Sequence, residues 1–398
     1  MKPVYIVKAK RTAIGKLNGK LSTVRVDDLL ATVMIDLKKD LPFDLELIDD
    51  VIVGCANQAG EDNRNLARMS SLLAGYPMSV PGSTINRLCG SSLDALIDGY
   101  ARISSGINDC LVIGGAESMT RAPYVISKAG ESFGRDQKMF DTTLGWRFPN
   151  AAMEKIFPLL TMGETAEEVA KLYQISRNEQ DEFAVHSHKK AIAAWARGDF
   201  NEEITPIPMF IKKETIIFDK DECPRADSTM EALSKLKPVF KKDGSVTAGN
   251  SSPMNDGASA ILLVSEEFLK AHKLTPMIEV TGAATRGVHP STMGLGPIEA
   301  VKKLLLKTGK KINQFDSIEL NEAFAAQAIG CIKGLDLNPE KINLNGGAIA
   351  LGHALGNSGT RIVTSLAHSM AKNKNIKESL ATMCIGVGQG IAVSFRNC

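Results

Sequence analysis

The sequence predicts a mixed α/β protein built by internal duplication and interrupted by an insertion. Three observations carry this. Four segments of the first third recur in the same order in the last third. Polar and thiol side chains fall where β-rich runs give way to glycines and apolar-periodic helices, the strand ends at which α/β proteins keep their chemistry. The middle third breaks that rhythm. The 398 residues exceed what one hydrophobic core usually serves, so two or three structural units are expected.

Taken in order, MKPVYIVKAKRT reads directly into a strand, and IVKAKRTAIGKL has its partner in VTGAATRGVHP, after residue 279. LIDDVIVGCAN pairs with QFDSIELNEAF, where Asn321 and Glu322 follow a short strand and precede a helix. STINRLCGSSLDAL corresponds to NLNGGAIALGHALGNSGTRIV, and DCLVIGGAES to SLATMCIGVGQG. From about Arg121 to Thr247 lies a loop-rich passage, then the helical TAEEVAKLYQISRNEQDEFAVHSHKKAIAAWARG, then an extended lysine-rich stretch. Thr165 with Glu168 is expected to form a capping box there.

Composition excludes several classes. Lys+Arg 47 against Asp+Glu 45 leaves +2, too balanced for a surface dedicated to nucleic acid. No uncharged run of about 18 residues suggests a membrane span, and the start lacks an apolar leader, so a soluble cytoplasmic protein is expected. The seven cysteines are odd in number and lack CxxC spacing, which points to neither a disulfide framework nor a zinc site. His186 and His188 are two apart, on different faces of a helix, and read as surface residues; His272, His289 and His368 carry no motif.

Cys89 sits where a β-rich run meets a glycine and two serines and then opens into a helix. The positive end of a helix favours a thiolate, and the thiolate is the nucleophile. His353 lies in a glycine-dense turn, and Cys384 ends an apolar strand followed by Gly386, Gly388 and Gly390.

These segments, with IVKAKRTAIGK, GGAESM and NDGA, resemble the signatures of the thiolase family across essentially the whole chain. The resemblance implies two similar βαβαβαββ halves in an αβαβα layered sandwich: a first half over 1–120 with part of 248–270, an inserted coenzyme A-binding loop domain over 121–247, and a second half over 271–398. It implies thiolytic cleavage of a 3-oxoacyl-CoA to acetyl-CoA and a shortened acyl-CoA, reversible as a Claisen condensation. Cys89 would be acylated, His353 would take its proton, and Cys384 would act as acid and then base. Asn321 would hold a water in one oxyanion hole, and the backbone at Cys89 and Gly386 would form a second. Coenzyme A would enter as substrate, no tightly bound cofactor or metal being implied, and would meet Arg225, Ala248, Ser252, Met254, Ala323 and Phe324. GGAESM would be a glycine turn near the active site and dimer interface, and Glu322 would support neighbouring donors. Dimers or tetramers are implied, with a β-oxidation complex subunit as a further partner. A cysteine hydrolase and an inactive scaffold subunit are the competing classes; Cys384 and the coenzyme A loop oppose the first, and the intact Cys89, Asn321, His353 and Cys384 the second.

Four departures from the family pattern stand out: Ala354 where proline is usual, Asn357 for a small residue, Ser92 for glycine, and Val387 for the middle glycine common after the second cysteine. A β-branched side chain resists φ > 0, so Val387 is expected to disturb the turn at Gly386. Thr161 and Met162 replace the His-Met pair of acetoacetyl-CoA enzymes, which favours a broad 3-oxoacyl-CoA substrate range. RAPYVISKAGESFGRDQKMFDTTLGWRFPN resembles the loop of 3-oxoadipyl-CoA thiolases and makes a dicarboxylic substrate the second choice.

Overall fold

A computed structural model describes residues 2–211 and 214–398. The first half contributes β1 (Val4–Arg11), α1 (Val26–Leu37), β2 (Asp50–Gly54), α2 (Leu66–Leu73), β3 (Gly82–Ile85), α3 (Ser91–Ser104) and β4 (Cys110–Ser118). Two long helices of the insertion follow, α4 (Met162–Leu172) and α5 (Arg177–Arg197), and then β5 (Asn255–Ser265) returns to the core. The second half supplies β6 (Ile278–Gly287), α6 (Gly296–Thr308), β7 (Ser317–Leu320), α7 (Ala325–Leu335), α8 (Ser358–Lys372), β8 (Glu378–Ile385) and β9 (Gln389–Asn397).

The strands join in the order β7-β8-β9-β6-β1-β5-β4-β2-β3. Each half is antiparallel on the inner side and parallel at its outer edge, and the halves meet where β1 pairs antiparallel with β6, Val4 opposite Val280. All four sequence pairs occupy matching places: β1 with β6, β2 with β7, α3 with α8, β4 with β8.

Alternation along the strands explains the layers. In β5, Ala258, Ala260, Leu262 and Val264 pack outward with Leu29, Leu30 and Val33 of α1, whereas Ile261 and Leu263 point inward to α3 and α8. A strand covered on both faces must be apolar at every position. The inner core joins Leu93 and Leu96 of α3, Ile362 and Leu366 of α8, and Ile391 and Phe395 of β9. On the far face, Val301 and Leu304 of α6 cover Ile318 and Leu380. The result is the αβαβα sandwich, with α3 and α8 as its middle layer.

The insertion packs against both halves. Val169 and Ala170 of α4 meet Ala326 and Ile329 of α7, and Ala184 and Val185 of α5 meet Ala325 and Ile349. Its caps differ from expectation. The boxes are Thr161 with Glu164 and Ser176 with Glu179, while Thr165 lies inside α4 and donates its hydroxyl to the Met162 carbonyl. The insertion is also tied to β1 by a buried ion cluster: Arg11 Nε donates to Glu203 Oε1 at 2.6 Å and Nη1 to Asp221 Oδ1 at 2.8 Å. No helix among the described residues is long and apolar enough to cross a membrane.

Candidate active site

Three chain reversals bring the chemistry together. Cys89 stands between β3 and α3, after Leu88, whose φ of 48° puts the backbone in the left-handed region. His353 follows a one-turn helix, Ala348–Leu351, and precedes α8. Cys384 ends β8 and Gly386 begins the turn into β9. Cys89, His353, Cys384 and Gly386 line one cavity with Ser252, Met254, Ala323 and Phe324.

Asn321 is fully buried after β7 and does not line that cavity; neither end of its carboxamide hydrogen-bonds to the protein among the described residues. A buried amide without a protein partner is rare and points to a ligand or water-binding role. Arg225 and Ala248 are exposed and stand outside the cavity. The Arg225 backbone N–H donates to Nδ1 of His188, which is buried rather than on the surface as its spacing suggested. His368 is likewise buried, against the Ala9 carbonyl.

Cys89 does not rest in the electrostatic setting that its helix suggested. Burial pushes its thiol up to about 11, and the Gly386 backbone N–H offsets this only in part. Burial wins because the sulfur faces the apolar walls of the cavity, although the residue as a whole is only half-buried. Burial also drives Cys384 far up, helped by the neighbouring Cys89 and Cys331 sulfurs. His353 moves the opposite way, to about 4, through burial and then the Arg361 charge. At neutral pH the resting site therefore holds two thiols and a neutral imidazole.

The tautomer of that imidazole follows from its partners. Ser358 Oγ lies 2.6 Å from His353 Nδ1 and 3.1 Å from the Ala354 carbonyl; with its hydrogen given to that carbonyl, it accepts from the ring. In that arrangement the ring proton is on Nδ1, and Nε2, without a protein partner among the described residues, presents a lone pair. Ser358 was missed in the sequence, although it lies five residues after His353 in the same glycine-dense motif.

Glu117 was missed too. GGAES is a buried strand, not a glycine turn, and the Glu117 carboxylate accepts N–H bonds from Ala56, Asn57 and Gly356, binding the loop around His353 to the first half. Cys55, Asp62 and Glu117 offer donor atoms within 4.8 Å of one another. Their oxygens are already engaged, Asp62 accepting from Gly60 N–H and the Cys55 thiol, so the trio reads as a polar knot. Glu322 plays the supporting part expected, accepting from Ser187, Asn343 and the Ile349 N–H.

Three of the four departures are absorbed locally. Ala354 keeps a φ of −79°, close to what proline would impose. Ser92 Oγ accepts the Thr360 N–H at 2.9 Å, linking the starts of α3 and α8. Asn357 accepts from Ser259. Val387 does enter the left-handed region, at φ 62°.

Residues 4–267 match the thiolase N-terminal domain and residues 274–397 the thiolase C-terminal domain. This chain belongs to the thiolase family. Among its relatives, the β-ketoadipyl-CoA thiolase of Pseudomonas aeruginosa is 49% identical over 396 residues, 99% of this chain and 98% of that protein. The 3-oxoadipyl-CoA/3-oxo-5,6-dehydrosuberyl-CoA thiolase of Escherichia coli is 49% identical over 397 residues, 99% of each chain. Among solved thiolases, the acetyl-CoA acetyltransferase of Bacillus anthracis superposes with a TM-score of 0.93 at 38% identity, covering 100% of this chain and 99% of that one. The human mitochondrial 3-ketoacyl-CoA thiolase in complex with CoA gives 0.92 at 39%, covering 100% and 98%. As a thiolase, the protein is an acyltransferase that uses coenzyme A as substrate.

Proposed function

We propose that this thiolase cleaves a dicarboxylic 3-oxoacyl-CoA, of the 3-oxoadipyl-CoA class, through an acyl-cysteine at Cys89. Convergence of Cys89, Cys384 and His353 on one cavity carries the chemical reading; the substrates for which the relatives are named favour the dicarboxylic chain over the broad range expected from Thr161 and Met162. His353 Nε2 takes the Cys89 proton as the sulfur attacks the C3 ketone. The neutral resting pair supports this order, because the thiolate forms only as the base receives its proton. The C2–C3 bond breaks with its electrons on C2, and Cys384 protonates that enolate, releasing acetyl-CoA. The Cys384 thiolate then deprotonates incoming coenzyme A, whose sulfur takes the acyl group while Cys89 regains its proton from His353.

The oxyanion of the first step would be met by protonated His353 and a water on Asn321. The Gly386 and Cys89 N–H groups would meet the oxygen of the second, each such donor being worth about 3–4 kcal/mol of barrier. Ser252, Met254, Ala323 and Phe324 would line the pantetheine, with Ala248 at its outer end and Arg225 meeting the nucleotide phosphates. Ser252 is held in place by donating its N–H and hydroxyl to the Ala323 carbonyl.

A homodimer or homotetramer belongs to the same proposal. Its support is the edge strand β3, open on one side, beside the exposed Met69, Leu72, Leu73 and Met78. A cytoplasmic setting is supported by the seven unpaired cysteines.

The test is coenzyme A-dependent acetyl-CoA release from acetoacetyl-, 3-oxooctanoyl- and 3-oxoadipyl-CoA at equal concentration, with preference for the last expected. Intact-mass spectra after incubation with acetyl-CoA should show an acetyl adduct on the wild type and, slowly formed, on Cys384→Ala, but none on Cys89→Ala. Full turnover by Cys384→Ala would sink its acid and base role.

A further inference from the structure

We propose that Arg147 is the specificity-determining residue of this site, pairing its guanidinium with a carboxylate at the far end of the substrate's acyl chain. The inference rests on the dicarboxylic substrate proposed for this enzyme and names the group that would enforce it. The cavity encloses about 330 Å³ and is walled largely by Leu88, Leu144, Leu160, Met162, Met293 and Phe324. A carboxylate entering such walls loses its hydration and needs a partner. Arg147 is the one lysine or arginine lining the cavity among the described residues, and no aspartate or glutamate lines it.

Arg147 is also unspent. Its hydrogen bond is from Nη1 to the Thr142 carbonyl at 2.9 Å, and no carboxylate pairs with it among the described residues. Four of the five N–H donors of a guanidinium then remain, enough for the two parallel bonds that a carboxylate accepts. Half-burial raises the worth of such a pair above that of a surface ion pair.

The loop that carries it is fastened on both sides. Thr142 is buried, donates its hydroxyl to the Pro123 carbonyl at 2.6 Å and receives the Asn57 amide at 3.1 Å. Trp146 donates its indole N–H to the Leu160 carbonyl at 3.1 Å. Asn57 in turn gives its backbone N–H to Glu117. A charge held by a tethered loop discriminates better than one on a free side chain, because less ordering is left for binding. A coenzyme A phosphate is the competing occupant, and it would make no distinction between acyl chains.

The experiment compares 3-oxoadipyl-CoA with 3-oxohexanoyl-CoA, chains of equal length that differ in the terminal carboxylate. Arg147→Met should lower kcat/KM for the dicarboxylic substrate by about tenfold to a hundredfold, mainly through KM. It should leave the monocarboxylic chain within about twofold, since no charge pair is lost there. Arg147→Lys should recover part of the loss, keeping the charge without the planar fork. Equal losses on both substrates, as a phosphate contact or a purely structural role would give, overturn the assignment, as does no loss on either. A wild type that cleaves 3-oxohexanoyl-CoA but not 3-oxoadipyl-CoA overturns the dicarboxylic reading together with it.

Discussion

In the proposed reaction His353 serves as base by virtue of two neighbours. Ser358 holds Nδ1 by a hydrogen bond, and burial beside Arg361 keeps the ring neutral down to about pH 4. A lowered imidazole value extends the basic form toward acid. The acid limb of kcat/KM is therefore expected well below the unperturbed histidine value of about 6.5. A pH profile that halves near that value would show a hydrated, ordinary imidazole. Val387 is the second residue whose backbone decides the outcome. A left-handed φ strains a residue bearing Cβ by about 1–2 kcal/mol, and glycine's extra freedom in the unfolded chain returns part of that gain. Val387→Gly should therefore hold or raise the urea midpoint despite removing a side chain; a loss above about 1 kcal/mol would mean that its packing outweighs the strain.

At the element scale, the site depends on how α3 and α8 start. Each brings a reactive residue to its N-terminal side, and they are stitched by the Ser92 hydroxyl receiving the Thr360 N–H. Ser92→Ala strands that buried donor and should cost about 1–3 kcal/mol in urea unfolding. Ser92→Gly should cost no less, so glycine, although usual in the family, is no longer neutral here. An unchanged midpoint for both would mean that another group satisfies Thr360. These starts were legible in the sequence, since glycine and serine before an apolar-periodic run mark them. The capping box was misplaced by four residues, from Thr161 to Thr165, because a Thr with a Glu three residues on occurs twice in TMGETAEE and local spacing does not choose between them.

Across the whole molecule, the insertion is held to the core by charge as well as by packing. Arg11 is completely buried with Glu203 and Asp221, and its charged form is stabilised by both. Arg11→Met would leave two buried carboxylates without their cation and should destabilise by about 3–5 kcal/mol. Chemical denaturation would test it. A loss below about 1 kcal/mol would mean that Arg361, also buried, takes over the pairing.

The duplicated α/β plan, the strand-end positions of Cys89, Asn321 and Cys384, the glycine-dense turn of His353, and the interrupting insertion were all written in local pattern. Alternation, glycine placement and repeated motif order act over a few residues, and neighbours along the chain are enough to express them. Glu117, Ser358 and Arg147 were not legible as partners of that site. Their roles arise from contacts that only folding creates: Glu117 with Gly356 across 239 positions, Arg147 beside Leu88 in one cavity. The protonation of the thiols was decided in the same way. A helix start argues for a thiolate, but desolvation of Cys89 within the sandwich outweighs it, and only the packed structure fixes how far that sulfur is withdrawn from water.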